Sequence, residues 1–280
     1  MRKYPAVIKW SGSKRLVASR LAQHFPCFER YFEPFVGGGA MLPYSRHRKG
    51  YAGDIIPELI CLWNEIKEHP LHVADEYERR WNDLQQNGAG VYYLVRDDFN
   101  RTRNCHDFLF LSRTCVNGLI RFNGNGEFNN SFHLSRPGIN PDTFRQQICE
   151  WSKAVSLIEF KAQDYRSTLA DTHEGDFVFL DPPYGGTKGR YTTDEFVLED
   201  FYRELERLNR KGVKWMLTFD GKAGERSYEY APPKELYKAK FSVETGNSAF
   251  VKVESKRIDK IEESVYLNYD IAYSIADLFQ

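Results

Sequence analysis

The sequence predicts an α/β protein with a doubly wound, largely parallel sheet. A continuous apolar run at residues 177–180 is typical of a strand buried on both faces, and it ends in Asp181-Pro182-Pro183-Tyr184. The first strand of the chain, predicted at residues 31–35, runs into the glycine triplet 37–39. Between such strands the apolar spacing becomes helical, as at residues 198–210, and strands that alternate with helices form parallel sheets. Ligands of these sheets bind beyond the carboxyl ends of the strands.

The N-terminal segment 9–15, Lys-Trp-Ser-Gly-Ser-Lys-Arg, predicts a tight loop followed by a helix from Arg15 to about His24. Gly12 and the two serines allow backbone N–H groups to face a ligand, and Lys14 adds positive charge. The spacing of a P-loop is absent, so this segment is not read as a nucleoside triphosphate site.

The glycine triplet predicts a sharp turn at which a ligand can touch the backbone, with a helix expected from about Ala40. The G-x-G-x-x-G spacing that favours NAD is absent. Asp54 follows a short second strand at residues 50–53, where an acid commonly binds ribose hydroxyls. The alternative for Asp54 is an N-cap of the helix that the apolar spacing predicts over residues 55–67.

A long irregular segment, residues 113–142, follows helices predicted over residues 70–112. It is rich in Asn, Gly, Arg and Phe, and its aromatic residues argue against disorder. Arg and Asn are the side chains that read guanine and adenine edges. We expect residues 56–150 to form a helical, loop-rich insert between the two parts of the α/β domain, residues 1–55 and 151–280.

The second half of the chain predicts the remaining elements of the sheet. A helix at residues 143–152 leads back to the main domain, and a strand at 155–160 precedes Asp164-Tyr165. A polar loop at residues 185–193 is expected to act as a lid. The last strands are expected at residues 213–219, 236–243 and 265–269, the last two of them antiparallel.

Composition limits the class of protein. Hydrophobic residues make up 41% and aromatic residues 15% of the 280 residues, so disorder is excluded and a large core is expected. The 39 Lys and Arg residues balance 39 Asp and Glu residues, but the first 20 residues carry six basic residues and no acid, which favours a local basic surface. The longest apolar runs are too short for a membrane span, and we find no signal peptide.

The five cysteines form no C-x-x-C pair. Their odd number and spacing indicate reduced thiols in a cytoplasmic protein, and neither a disulfide framework nor a zinc site is predicted.

Four blocks together resemble the Dam-type family (D12 class, alpha group) of adenine-N6 DNA methyltransferases. KWSGSKR is similar to the family's K-W-x-G-G-K block, FEPFVGGGA to its cofactor loop, the segment from Asn117 to Asn129 to its DNA-recognition segment, and DPPY to its catalytic motif. Two positions depart from the family pattern: Ser13 replaces a usual glycine, and Val116 replaces an aromatic that wedges into the duplex in some members. The recognition sequence, GATC in many members, is therefore left open.

The resemblance implies a class I S-adenosylmethionine-dependent methyltransferase fold and methyl transfer to N6 of an adenine flipped out of double-stranded DNA. It also implies a set of site residues by position. The cofactor-binding residues are Trp10, Lys14, Phe35, Gly37, Asp54, Asp164, Tyr165 and Asp181. The catalytic residues are Asp181, Pro182, Pro183 and Tyr184. The DNA-binding residues are Lys9, Arg113, Asn117, Arg121 and Asn123. A cognate restriction endonuclease acting on the same site is a partner that the family admits.

The chemistry of this motif follows from the weak nucleophilicity of the adenine amine. The Asp181 carboxylate and the Pro182 carbonyl can hold both N–H protons, which turns the lone pair toward the methyl sulfonium for direct displacement without a metal. Tyr184 would stack on the flipped base. N4-cytosine methylation in DNA and adenine methylation in RNA use the same amine chemistry, so the motif leaves them open. A catalytically inactive DNA-binding regulator and a NAD-dependent enzyme are the alternatives from other classes.

Overall fold

The computed structural model describes residues 4–45, 48–135, 137–183, 196–223, 226–228, 231–247 and 260–271. Eight strands form one mixed sheet. They are β1 (Tyr31–Glu33), β2 (Gly50–Asp54), β3 (Ile158–Ala162), β4 (Phe177–Leu180), β5 (Lys214–Ala223), β6 (Arg226–Tyr228), β7 (Ala239–Asn247) and β8 (Lys260–Leu267). The spatial order is β3-β2-β1-β4-β5-β8-β7, with β6 paired to β5 beside this path.

The first five strands are parallel, and their order reverses between β1 and β4. At this switch point Tyr31 of β1 lies between Gly50 of β2 and Phe177 of β4. Strand β8 runs antiparallel to both β5 and β7, as expected for the tail. The doubly wound α/β class predicted from the sequence is confirmed, and the carboxyl ends of β1, β2 and β4 meet at one edge of the sheet.

The helices in the described residues are α1 (Ala18–Leu21), α2 (Pro57–Glu68), α3 (Pro70–Asn87), α4 (Gly90–Thr102), α5 (Cys105–Thr114), α6 (Pro141–Ala154), α7 (Tyr165–Leu169) and α8 (Leu198–Arg210). Short 3-10 turns occupy Lys14–Leu16, Ala22–His24, Leu42–Tyr44, Val116–Gly118 and Lys234–Leu236. Among these residues, none of the helices combines the length and the apolar character needed to cross a membrane.

Strand β4 is buried on both faces, as its apolar run predicts. Phe177 and Phe179 belong to the larger hydrophobic core, whereas Val178 and Leu180 pack into a second core together with residues of α7 and α8. The larger core continues without interruption into helices α2–α6, because Trp63 of α2 stacks on Phe160 of β3 with ring centroids 5.6 Å apart. Ile120 and Phe128 of the irregular segment between α5 and α6 belong to the same core.

Two predicted helices are shorter than expected. The helix expected over residues 15–24 is interrupted at Val17, a β-branched residue with φ of −113°, so only α1 and two 3-10 turns form. The helix expected from Ala40 is reduced to the turn Leu42–Tyr44, since Gly39 has φ of +63° and Pro43 donates no backbone hydrogen bond. The lid predicted at residues 185–193 lies outside the described residues.

Candidate active site

Three carboxylates lie at the carboxyl ends of neighbouring parallel strands. Glu33 ends β1, Asp54 ends β2, and Asp181 comes directly after β4. Because these strands are parallel neighbours, their last residues share one edge of the sheet at the switch point. Asp54 and Asp181 were singled out in the sequence. Glu33 was not, although it lies within the FEPFVGGGA block.

Asp181 is held by two side chains from distant parts of the chain. Thr218 of β5 donates a hydrogen bond from Oγ1 to Asp181 Oδ1 over 2.9 Å, and Lys14 Nζ lies 2.8 Å from the same oxygen. The Asp181 side chain is only 22% exposed. Burial raises its pKa, and the Lys14 ammonium opposes that effect. Pro182 is buried beside it, Pro183 is exposed, and Tyr184 lies outside the described residues.

Lys14 is buried and its ammonium is shared among three acceptors. Besides Asp181, it donates to the carbonyl of Gly12 over 3.1 Å and to Glu263 Oε1 over 3.0 Å. Glu263 comes from β8 and is also buried. The resemblance implies that Lys14 binds the cofactor, and in the structure its ammonium links two carboxylates. Glu263 was missed in the sequence, because nothing in the alternating tail marks it.

Glu33, at the end of β1, is also a buried ionisable group. Tyr31 donates a hydrogen bond from its hydroxyl to Glu33 Oε2 over 2.8 Å. Burial raises the pKa of Glu33 well above its ordinary value, and the nearby charge of Asp181 adds to the shift. The edge therefore concentrates acidic groups around a single buried ammonium.

Asp54 binds the backbone of the glycine turn. Its Oδ2 accepts a hydrogen bond from the N–H of Gly37 over 3.1 Å, and its Oδ1 accepts one from the N–H of Ile56 over 3.3 Å. Burial raises the pKa of Asp54 to about 6, although both amides favour the ionised form. Asp54 is not the N-cap of α2, because that position is Ile56.

Gly37 is enclosed by two tryptophans. It has φ of +44°, and a Cβ atom added there would lie 2.6 Å from Nε1 of Trp10. Trp63 donates a hydrogen bond from Nε1 to the carbonyl of Gly37 over 3.0 Å. Any side chain at position 37 would therefore displace Trp10, so the structure brings these two sequence-predicted residues together.

Two aromatic residues from the predicted cofactor set, Phe35 and Tyr165, are in contact. Their rings stack with centroids 5.3 Å apart at an interplanar angle of 27°. Asp164 caps α7 by accepting a hydrogen bond at Oδ1 from the N–H of Arg166 over 2.8 Å. The Arg166 guanidinium lies on the same carboxylate, with Nε 2.7 Å from Oδ1. The structure thus brings Phe35 and Tyr165 together, and their binding of cofactor stays a prediction.

The recognition segment, residues 115–140, begins with the turn Val116–Gly118. Asn117 is exposed there with φ of +57°. Asn130 fixes this turn by donating from Nδ2 to the carbonyl oxygens of Val116 and Leu119, each over 2.9 Å. Gly118 has φ of +63°, and a Cβ there would lie 2.6 Å from Cδ of Lys9. Lys9 and Asn117 thus belong to one surface.

Arg121 and Asn123 have different environments. Arg121 is exposed and donates from Nε to Asn129 Oδ1 over 2.8 Å. Asn123 accepts at Oδ1 from the N–H groups of Asn125 and Glu127 over 2.9 and 3.0 Å. The Asn123 side chain therefore shapes a tight turn.

The turn is anchored on helix α4. Asn100 donates from Nδ2 to the carbonyl of Phe128 over 3.1 Å and accepts the Phe128 N–H over 2.7 Å. Phe128 is buried and meets Phe99 of α4 edge to face, with centroids 6.1 Å apart. These contacts explain why a segment without regular periodicity is nevertheless ordered.

Arg113 contradicts its expected role in DNA binding. It lies in α5 with only 8% of its surface exposed, and it donates from Nη1 to the carbonyl of Ala6 over 2.7 Å. Its guanidinium carbon lies 5.1 Å from the centroid of the Phe144 ring. Because the side chain is buried against Ala6 and Phe144, Arg113 has a structural role.

Comparison with known proteins identifies the family of the chain. The family model described as D12 class N6 adenine-specific DNA methyltransferase matches residues 10–257. Among relatives, the type II methyltransferase M.MjaIII of Methanocaldococcus jannaschii is 30% identical over 244 residues, covering 75% of this chain and 82% of the relative. The DNA adenine methylase of Serratia marcescens is 31% identical over 212 residues, covering 71% and 76%.

The DNA adenine methylase of Escherichia coli strain K12 is 30% identical over 211 residues, covering 71% of this chain and 73% of the relative. The match of the family model includes the N-terminal loop, the glycine turn, the recognition segment and the catalytic motif. The chain belongs to the D12 class of N6 adenine-specific DNA methyltransferases.

Proposed function

We propose that the chain binds S-adenosylmethionine in the cleft beyond β1, β2 and β4 and methylates N6 of an adenine flipped out of double-stranded DNA. Family membership favours adenine in DNA over the other readings of the sequence: N4 of cytosine, adenine in RNA, an inactive DNA-binding regulator and a NAD-dependent enzyme. The observation that carries the proposal is the position of Asp181, at the end of a central strand and bonded to Lys14 and Thr218.

The residues of the cleft fit this cofactor. Gly37 lets the indole of Trp10 lie against the glycine turn, where a Cβ atom would displace it. The carboxylate of Asp54 retains acceptor sites for ribose hydroxyls beyond the two amides that it binds. Asp164 is proposed to accept from an adenine amine beside the contacts that it makes with Arg166, and the rings of Phe35 and Tyr165 provide apolar surface. Bound S-adenosylmethionine supplies a methyl group made electrophilic by its sulfonium.

Asp181 and Pro182 would orient the target amine. Both contacts made to Asp181 by described side chains fall on Oδ1, which leaves Oδ2 to accept one N–H of the adenine amine. The carbonyl of Pro182 would accept the other. The Lys14 ammonium opposes the rise in the pKa of Asp181 that burial causes, and Glu263 shares that ammonium, so Asp181 retains its strength as an acceptor.

The recognition role is assigned to residues 56–150, the segment expected to be an insert. Lys9, Asn117 and Arg121 lie on its accessible side and are proposed to contact DNA, whereas Asn123 is proposed to act by shaping the turn. The stacking role of Tyr184 stays a prediction from the motif. A partner endonuclease and a cytoplasmic location likewise stay predictions, the latter resting on the five unpaired cysteines.

Expression in a host without DNA methylation tests the proposal. We expect sequencing and nucleoside analysis of the host DNA to reveal N6-methyladenine at one defined sequence, and none with the Asp181→Ala variant. N4-methylcytosine in the DNA, or methylation confined to RNA, would contradict the proposed substrate. Calorimetry with S-adenosylmethionine tests the cofactor separately, since binding does not require DNA.

A further inference from the structure

A second group of reactive side chains lies outside the proposed active site, between helices α2, α3 and α5. Its Cys, His and Glu side chains line a cavity of about 570 Å³ and are Cys61, Glu65, His69, His72, Cys105 and His106. None of them has a role in the proposed methyl transfer. Cys, His and Glu are the types of side chain that bind transition metals.

Helical geometry brings these side chains together. Cys61 and Glu65 are four residues apart on α2 and therefore share one face of that helix. His72 faces them from α3. His106 lies in the first turn of α5, where Asn104 accepts its N–H at Oδ1 over 2.8 Å. The position of His106 is thus fixed by a helix cap.

Three of the side chains already form a compact donor set. One ligand atom each from Glu65, His72 and His106 lies within 4.8 Å of the others. Glu65 Oε2 is 3.8 Å from Nε2 of His106, and the two imidazole centroids are 5.0 Å apart. Ligand atoms around a tetrahedral zinc ion are about 3.3–3.8 Å apart, so small side-chain rotations would complete this geometry.

A further observation indicates a ligand. The side chain of His106 is 89% buried, and its Nδ1 has no hydrogen-bond partner among the described atoms. An unpaired nitrogen in such a position is costly in free energy. The thiols of Cys61 and Cys105 line the same cavity and are not joined in a disulfide.

We propose that Glu65, His72 and His106 bind a divalent transition-metal ion of the zinc type. Cys61 lines the same cavity outside this compact set, and rotation of its side chain would bring in its thiolate as fourth ligand. Nitrogen and sulfur donors favour zinc or cobalt over magnesium and calcium. The carboxylate and the thiolate neutralise the charge of the ion. The nearby Arg80 does not oppose it, because Arg80 is paired with Glu76 over 2.6 Å and with Asp107 over 2.7 Å.

Such an ion would join three helices at the start of α5, and α5 leads directly into the recognition segment. The site would therefore be structural and independent of methyl transfer. The sequence predicted no zinc site, because zinc spacing rules depend on ligands close together in the chain. Here the ligands come from three helices.

Metal titration of the reduced, chelator-treated full-length protein tests the proposal. We expect one equivalent of Co²⁺ to produce the ligand-field and thiolate-to-cobalt absorption bands of a tetrahedral site, and Zn²⁺ to displace it. Zinc at a hundredfold excess over its Kd should raise Tm by about 5–10 °C. Absence of stoichiometric Co²⁺ binding would overturn the proposal.

Matched variants assign the ligands. His72→Ala changes an exposed side chain, so the fold should be kept, and Co²⁺ affinity should fall at least about a hundredfold. Cys61→Ser should remove the thiolate band. His69→Ala is the control, since His69 lines the same cavity outside the donor set, and its Co²⁺ spectrum should equal that of the wild type. Co²⁺ absorption bands that survive His72→Ala would refute the metal site. It would also be refuted if the reduced protein binds no Co²⁺ and diamide joins Cys61 and Cys105 in a disulfide.

Discussion

The ammonium of Lys14 lies 2.8 Å from the carboxylate of Asp181, and this ion pair joins the N-terminal loop to the segment that follows β4. Both side chains are largely removed from water, so each depends on the other for compensation of its charge. Glu263 is the second partner of Lys14, at 3.0 Å. Loss of either acid would therefore leave Lys14 with one remaining carboxylate.

Asp181→Ala should abolish methyl transfer while the protein stays folded. The carboxylate is the proposed acceptor for the target amine, and a single such group contributes about a hundredfold to a thousandfold in rate. Single-turnover methylation of a cognate duplex is the measurement, and Tm with S-adenosylmethionine affinity is the control. Turnover within tenfold of the wild type would rule out the proposed role.

Glu263→Gln should lower kcat about tenfold, which corresponds to about 1.4 kcal/mol of transition-state stabilisation. Without the Glu263 charge, Lys14 withdraws more charge from Asp181 and weakens it as an acceptor. Glu262→Gln is the matched control, because the neighbouring side chain is exposed on the opposite face of β8. Equal effects of the two substitutions would show that Glu263 contributes only to the overall charge.

Asp54 should make cofactor affinity dependent on pH. Ribose hydroxyls donate to the ionised carboxylate, whose pKa in the cofactor-free protein is raised to about 6. Binding therefore favours loss of the proton, and affinity should be constant above pH 7 and fall by up to about tenfold per pH unit below pH 6. Calorimetry across this range is the measurement.

The control for that profile is Asp54→Asn, which has no titrating group. Its affinity should be about ten to a hundred times weaker at pH 8 and independent of pH, since a charge-assisted hydrogen bond contributes about 1.5–3 kcal/mol. The same pH dependence in both proteins would assign the titration to another residue.

Arg121→Ala should relax discrimination at one base pair by about 1–3 kcal/mol if the guanidinium reads a base edge. Binding to a set of duplexes with single base changes measures this effect. A uniform loss of affinity with a smaller salt dependence would instead identify a phosphate contact.

For Asn117 the suitable variant is Asn117→Gly, because glycine tolerates its φ of +57° and a change of backbone is avoided. Asn123→Ala should weaken all duplexes alike, since it loosens the turn.

The sequence predicts the elements of this fold well where one strong periodic signal exists. Helix α8 occupies the predicted residues 198–210, and the apolar run before Asp181 forms the central strand β4. Contacts between distant positions leave no such pattern. Thr218 and Glu263 therefore could not be linked to Asp181 from the sequence, although Thr218 lies in an expected strand and Glu263 lies two residues before the expected start of another.

Arg113 illustrates a second limit of sequence analysis. The irregular segment was expected to begin at Arg113, but α5 continues to Thr114 and is buried over its last eight residues. A shift of two positions thus moves an arginine from a surface loop into the core. The helix is enclosed by α2, α3 and α4, and burial from several sides removes the amphipathic pattern that would have marked its end.

The N-terminal loop has a thermodynamic consequence. Within six residues, Lys9 packs on Gly118 of the recognition segment, Trp10 packs on Gly37 of the glycine turn, and Lys14 pairs with Asp181. In the proposed function Trp10 binds the cofactor and Lys9 binds DNA, and these two residues are joined by a single peptide unit. Linkage is reciprocal, so whatever factor cofactor adds to the affinity for DNA, DNA adds to the affinity for cofactor. A factor above one would increase retention of the methyl donor while a target site is bound.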